Sequence, residues 1–189
     1  MAGNLVQVDT YTLTSAASSV IIGGGTDSSS GIDFEINTDD IYMLAYTNVG
    51  PETDGRNVSV RVTKTDGSGG GSADTTANYD YAYKVLNAHS GFSSGDFPNE
   101  NEWQYLFVDN VGTGTGEKAN GIAYLYNFNS SSQYSFVTVK MAEQNLTPHT
   151  RGNIGGGVHT VASASNGLYF FDDAGGNIAS GTFTLYKVI

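Results

Sequence analysis

The sequence has no cysteine among its 189 residues, so it cannot contain a disulfide or a thiolate metal site. It also has little charge, since Asp, Glu, Lys and Arg make up only 14% of the chain. Eight Lys and Arg residues face 19 Asp and Glu residues, which gives a net charge of −11. A field of this sign repels phosphate backbones, so we do not expect nucleic acid as a partner.

Long apolar stretches are also missing. No run approaches the roughly 18 consecutive apolar residues of a membrane-spanning helix, so membrane insertion is not expected. Residues 1–9 lack the basic region and the apolar core of a secretory signal peptide. We therefore expect a protein that is made in a cytoplasm without a signal peptide.

The residues that are abundant favour β-structure. Glycine, serine, threonine and asparagine favour turns and strands, and 12 Tyr with 9 Phe suit a pleated, half-buried surface. Val58, Val60 and Val62 alternate with polar residues, as in a strand with one buried face. Similar alternation occurs at 32–36, 134–141 and 182–186; apolar runs occur at 41–46, 105–108, 122–126 and 168–171; further candidates are 5–13, 20–22, 79–86 and 158–162.

These segments predict roughly ten strands, and residues 138–145 fit a strand as well as a short helix. Turn residues separate many of the segments. The predicted turns are Gly23-Gly24-Gly25, Val49-Gly50-Pro51, Asp66-Gly67, Gly69-Gly70-Gly71, Asn120-Gly121, Gly155-Gly156-Gly157, Asn166-Gly167 and Gly175-Gly176-Asn177.

The strand pattern predicts an all-β fold with one domain over residues 1–189. Its predicted architecture is an antiparallel two-sheet sandwich of the jelly-roll-like type, with a barrel as the alternative. Residues 1–14 are predicted to form an attachment segment or an edge strand.

The three histidines, His89, His149 and His159, stand apart in the sequence and form no His-x-x-x-His pair. The preferred interpretation is a loop or solvent-facing position for each. No Gly-x-Ser-x-Gly elbow precedes a helical segment either. We therefore predict no catalytic residue and no enzymatic activity.

Two adjacent acid pairs, Asp39-Asp40 and Asp172-Asp173, are the strongest candidates for carboxylate chemistry. Neighbours on a strand point to opposite faces, so the preferred interpretation is that these acids cap strand ends and keep edges soluble. A glycosidase-like pair formed between strands is the alternative. No metal site or cofactor is predicted, although loop oxygens would be compatible with a structural Ca²⁺ ion.

The single tryptophan, Trp103, lies beside Tyr105. An exposed Trp here would stack on a sugar ring, whereas a core position is the more common one for a sandwich Trp. The candidate binding residues are Trp103, Tyr105 and Tyr81.

The C-terminal sequence GNIASGTFTLYKVI (176–189) resembles the GNI-x-SGT-x-x-LYG ending of β-sandwich modules in virion proteins of tailed bacteriophages. Lys187 stands where that pattern has Gly. The middle of the chain follows the same order, with a strand at Val60-Arg61-Val62, a Gly/Ser loop, and a Tyr-rich strand at 79–83.

This resemblance implies a non-enzymatic virion structural protein, namely a tail-fibre or receptor-binding adhesion module. It implies a location in the virion, a homo-oligomer (a trimer), and contacts with other virion proteins and with a host cell-surface glycan or protein. A capsid decoration protein that stabilises the head shell is the alternative. A glycan depolymerase with two carboxylates and a cellular lectin are further alternatives.

Overall fold

The computed structural model describes residues 4–24, 30–65, 71–147 and 149–189, and within these ranges the chain forms β-strands and no helix. The strands are β1 (Leu5–Thr12), β2 (Ser19–Gly23), β3 (Gly31–Ile32), β4 (Ile41–Pro51), β5 (Arg56–Thr65), β6 (Gly71–Ala73), β7 (Tyr79–Asn87), β8 (Gly91–Glu100), β9 (Trp103–Val111), β10 (Ala119–Tyr126), β11 (Ser135–Gln144), β12 (Thr150–His159), β13 (Ser165–Asp172) and β14 (Ile178–Val188). A membrane-spanning helix is therefore not found among the described residues.

The strands form two packed sheets, which confirms the predicted all-β sandwich. One sheet has eight strands in the order β1-β14-β4-β10-β11-β12-β7-β8. The other has the order β3-β2-β13-β5-β6, and β9 also pairs with β5. Pairing is antiparallel except between β2 and β3, where it is parallel.

The two ends of the chain run side by side through both sheets. β1 pairs with β14 in the eight-stranded sheet, and β2 pairs with β13 in the other. Asn4 and Ile189 exchange backbone hydrogen bonds of 2.8 and 2.9 Å. This wrapping of an antiparallel pair over two sheets is the jelly-roll-like arrangement that was predicted.

Aromatic rings fill the space between the sheets. Phe107, Phe170 and Phe183 are fully buried, with ring centroids 5.5 and 5.1 Å apart along this series. Val58, Val60 and Val62 are also fully buried, as their alternation on β5 predicts. The core therefore comes from the inward faces of both sheets.

Several predicted glycine turns are wrong. Asn120-Gly121, Gly155-Gly156-Gly157 and Asn166-Gly167 lie inside β10, β12 and β13, and Gly50 lies inside β4. The glycines serve close packing here: a Cβ on Gly157 would lie 2.6 Å from Nε1 of Trp103. The turn at Gly175-Gly176-Asn177 is confirmed, whereas Gly25, Asp66-Gly67 and Gly69-Gly70 lie outside the described residues.

Three strand predictions also need correction. Residues 33–36 are not in a strand, although Ile36 is fully buried, and β12 ends at His159 and does not extend to residue 162. β8 was missed, because its Gly, Ser, Asp and Pro residues have low strand propensity. Residues 138–144 belong to β11, which decides the ambiguity with a helix.

Candidate functional site: the outer face of the eight-stranded sheet

The side of the eight-stranded sheet that points away from the second sheet is open to solvent. The alternation on β11 shows this directly. Val137 and Val139 are 1% exposed, whereas Phe136, Thr138 and Lys140, which alternate with them, are exposed. We use "outer face" for the outward-pointing side chains of the seven neighbouring strands β14, β4, β10, β11, β12, β7 and β8.

Large apolar side chains are spread across the outer face. Phe92 is 77% exposed, Leu86 48%, Ile154 46%, Phe136 42% and Ile41 41%. The rings of two further outward residues on β10, those of Tyr124 and Tyr126, lie 6.4 Å apart. Exposed apolar surface of this extent is typical of a surface that binds another molecule.

A shallow groove crosses the strands in the middle of the outer face. Its floor is a row of small residues, Ala82, Gly156 and Thr138, which the strand register places side by side on β7, β12 and β11. The cavity at the β8 end has a volume of about 540 Å³ and includes Phe136 and Val158 in its lining. A second cavity of about 420 Å³ continues the groove toward β10.

The outer face has few charges, and they cancel. Along these seven strands, all of which the structure describes, the outward charged residues are Lys84 and Lys140 against Asp80 and Asp96. Two lysines and two aspartates give a net charge of zero, whereas the whole chain has −11. The acidic character of the protein is therefore located elsewhere.

Behind the groove, the structure brings together two of the three predicted binding residues. The ring of Phe97 lies 4.9 Å from that of Tyr81 and 5.4 Å from that of Tyr105, and Tyr83 lies 6.0 Å from Phe97 on the same side. Tyr81 and Phe97 also line the groove. Burial raises the pKa of the Tyr81 and Tyr105 hydroxyls, which therefore stay neutral at physiological pH.

The third predicted binding residue, Trp103, needs correction. It is fully buried and its ring packs edge-on against Tyr79 at 5.3 Å. An indole between the two sheets cannot reach a ligand at the surface. Trp103 therefore belongs to the core, which was the more common alternative for a sandwich tryptophan.

The two adjacent acid pairs have structural partners. Asp40 forms a 2.7 Å ion pair with Lys187, which lowers the pKa of that carboxyl. Asp172 is buried and accepts a 2.9 Å hydrogen bond from the backbone N–H of Ala174, in the turn after β13. Asp173 accepts side-chain amide hydrogen bonds from Asn57 and Gln104. These contacts agree with the strand-end interpretation.

A buried acidic cluster was not anticipated from the sequence. Glu143 Oε2 accepts a 3.0 Å hydrogen bond from the backbone N–H of Asp109, and Arg151 forms an ion pair with the Asp109 carboxylate. Burial raises the pKa of Glu143 to about 8. A glycosidase needs its two carboxylates beside an open cleft, whereas the Glu143 side chain has no exposed surface. The sequence feature that could have revealed this cluster is the alternation on β11, which turns residues 137, 139, 141 and 143 toward the second sheet.

One of the three histidines differs from expectation, while His89 and His149 lie in loops as predicted. His159 is fully buried, and its Nε2 lies 2.8 Å from Asp74, so its predicted surface position is wrong. Burial lowers the pKa of His159, which favours the neutral ring. His89 and His149 stack with centroids 4.2 Å apart, because the β7–β8 turn meets the segment before β12. Their spacing in the sequence gives no sign of this contact.

Within the described parts of the chain, no three His, Cys, Asp or Glu side chains are arranged to hold a metal ion. Residues 66–69, in the loop between β5 and β6, lie outside those parts. The main feature available for binding is therefore the outer face, which offers shape and apolar contact.

No protein-family model matches this chain, and no curated protein matches it. The functional argument therefore depends on the residues of the chain and on the geometry of the outer face.

Proposed function

We propose that this chain is a non-enzymatic structural protein of a bacteriophage virion, and that it acts as a tail-fibre or receptor-binding adhesion module. The observation that carries the proposal is the outer face. It exposes large side chains such as Phe92, Ile154 and Phe136, and its charges cancel. Such a surface binds by contact area, as an adhesion module requires.

The segments that resemble phage virion modules support this proposal. The C-terminal sequence forms β14, and the Tyr-rich segment forms β7, so both contribute strands to the eight-stranded sheet. The proposed partners are other virion proteins, a host cell-surface glycan or protein, and further copies of this chain. The proposed location is the virion.

The state of the carboxylates supports a non-enzymatic role. Asp40, Asp109 and Glu143 are engaged in ion pairs or buried hydrogen bonds within the fold. Asp80 and Asp96 do reach the groove from neighbouring strands, and Asp80 accepts a 2.7 Å hydrogen bond from the backbone N–H of Asn99. They are therefore the two acids whose inactivity an assay has to demonstrate. An assay for hydrolysis of host glycans by the purified chain should show no reducing ends above background, and release of sugar would contradict this role.

The proposal is tested by labelling intact particles of the phage that encodes the chain with an antibody against it. Electron microscopy should show label at the tail end, and purified chain should compete with particles for adsorption to host cells. A Phe136→Asp variant should compete less well, whereas Glu35→Gln, an exposed change away from the outer face, should compete normally. Absence of label from all particles would overturn the virion role.

A capsid decoration protein is the second candidate, and a specific feature favours it. β1 is an edge strand of the eight-stranded sheet, with Leu5 48% and Val6 47% exposed. An edge strand offers unpaired backbone groups to which another protein can add a strand. Label spread regularly over the head, lost when residues 1–12 are deleted, would establish this candidate in place of the tail module.

A further inference from the structure

We infer that the outer face binds a second copy of this chain, in a twofold pairing of two identical faces. The inference rests on the proposed use of the outer face as a contact surface. It assigns that face to a second copy, so that contact with a host receptor is made by other surfaces of the pair. Four features support it: the charge distribution, the positions of Asp80 and Lys84, the side chains of β11 and β12 on either side of the groove, and the area of the outer face.

The charge distribution favours contact between copies at this face. Since the four charges on the outer face sum to zero, the rest of the chain has the full net charge of −11. Two copies therefore repel each other through most of their surfaces, and the outer face is where this repulsion is smallest.

The charges on β7 are placed symmetrically. Asp80 and Lys84 both point outward, two residues on either side of Ala82, which lies on the groove floor. A twofold axis along the groove, perpendicular to the strands, reverses the strand direction of the second copy. It therefore places Asp80 of each copy opposite Lys84 of the other, so that the same ion pair forms twice. Asp96, which pairs with Ala82 at the level of the groove floor, faces Asp96 of the other copy across the axis, and this one pair of acids opposes the contact.

The neighbouring strands have the same symmetry about the groove. On β12, Val158 and Ile154 lie on either side of Gly156, so the axis brings an apolar side chain opposite an apolar side chain. On β11, Phe136 and Lys140 flank Thr138 in the same way. The axis places the Lys140 ammonium near the Phe136 ring of the other copy, which is a favourable cation–π arrangement.

The area of the outer face is sufficient for a stable pair. Seven strands about 4.8 Å apart span roughly 34 Å, and four outward residues per strand span roughly 24 Å. The product, roughly 800 Å², equals what each partner of a standard-sized interface buries. A twofold pairing uses this face once per copy and closes with two copies, unlike the three copies that the phage resemblance implies.

The test is the mass of the full-length chain in solution, measured by sedimentation equilibrium over a concentration series. We expect a reversible dimer with twice the 19.9 kDa mass of one chain. Lys84→Glu leaves two acids facing two acids across the axis, so the dissociation constant should rise about tenfold or more. Lys118→Glu, which makes the same charge change outside the outer face, should leave the constant near that of the wild type.

The double variant Asp80→Lys/Lys84→Glu restores opposite charges across the axis, so its dissociation constant should return toward the wild-type value. Because recovery requires correct pairing, a misfolded single variant cannot produce this pattern. Trp103 fluorescence checks that each variant is folded.

A wild-type monomer, a trimer, or a double variant no tighter than Lys84→Glu would overturn the twofold pairing. The virion role is decided separately by particle labelling, so the two failures are distinguishable. A monomeric chain that binds host glycan at the groove would assign the outer face to a sugar and exclude the second copy.

Discussion

At the residue scale, the glycines of β12 show how one strand serves two surfaces. A Cβ on Gly157 would point inward and lie 2.6 Å from Nε1 of Trp103. A Cβ on Gly156 would point outward, with its nearest neighbour, the Val137 carbonyl oxygen, at 3.2 Å. Two adjacent glycines are therefore required to very different degrees.

We expect Gly157→Ala to lower the free energy of unfolding by about 1–3 kcal/mol, because the methyl group overpacks the Trp103 site. Gly156→Ala should change it by less than about 1 kcal/mol, since the only close contact must shift by a few tenths of an ångström. Urea unfolding followed by Trp103 fluorescence measures both. Equal effects from the two variants would contradict the inward position of Gly157.

Glu143 is the residue at which pH should act on stability. Its pKa is raised by burial from 4.5 in a model compound to about 8, so between these values the folded protein holds a proton that the unfolded chain has released. The contribution of Glu143 to the free energy of unfolding therefore falls as pH rises from about 5 to 8, by at most about 1.4 kcal/mol per pH unit for one proton. Buried His159, whose pKa is lowered from 6.5, contributes in the opposite direction below about pH 6.5.

Replacing Glu143 with Gln should remove most of this decline, because the amide keeps the shape of the protonated acid and does not ionise. Urea unfolding at pH 5, 6, 7 and 8 measures the slope. The exposed Glu35→Gln variant should keep the wild-type slope. An unchanged slope in Glu143→Gln would show that another group is responsible.

At the scale of the element, the alternation of residues along a strand decides which side chains are structural and which are presented. β11 runs from Ser135 to Gln144 with every second residue buried. Neighbouring residues on this strand therefore have opposite roles.

Substituting Asp for two neighbours on β11 tests this directly. Val137→Asp should unfold the protein or lower the free energy of unfolding by several kcal/mol, because it buries an unpaired carboxyl. Phe136→Asp should keep the fold, since its side chain is already 42% exposed, while weakening association of the copies. Far-UV circular dichroism and sedimentation report these two outcomes. A Val137→Asp protein as stable to urea as the wild type would contradict the assigned register.

The same alternation explains how much of the fold could be predicted. Val58, Val60 and Val62 indicate a half-buried strand because period two is a local property of the sequence. The glycines of β10, β12 and β13 suggest turns locally, and only the neighbours across the sandwich explain why they lie in strands. The residues of β8 have low strand propensity, so the sequence does not indicate this strand. Pairing with β7 holds it in place.

The candidate site was predictable only in part for the same reason. Tyr81 and Tyr105 meet through Phe97, which lies on the strand that the sequence did not indicate. The groove floor requires the register of β7, β12 and β11, which are far apart in the sequence. The association of His89 with His149 likewise depends on two loops that meet only in the folded chain.

At the scale of the whole molecule, the two sheets share one core. Trp103 on β9 packs against Tyr79 on β7 and lies beside Gly157 on β12, so it contacts the eight-stranded sheet from the other one. The chain has no disulfide to hold one sheet when the other opens. Loss of either sheet should therefore expose the same aromatic core.

We expect unfolding to be a single cooperative transition. Trp103 fluorescence reports the space between the sheets, and far-UV circular dichroism reports the strands, so the two should give the same urea midpoint. The measurement is made on Lys84→Glu at low concentration, so that dissociation of copies does not contribute. Two separate midpoints would indicate that one sheet unfolds independently.

The mutual hydrogen bonds of Asn4 and Ile189 have a consequence for engineering the molecule. Because these residues are neighbours, a short linker from 189 to 4 would close the chain into a ring without disturbing the β1–β14 ladder. New ends could then be opened in the exposed turn at 113–116, which gives a circular permutant. The same proximity allows the module to be grafted into a surface loop of another protein, where both junctions leave from one point and the groove is not part of either junction.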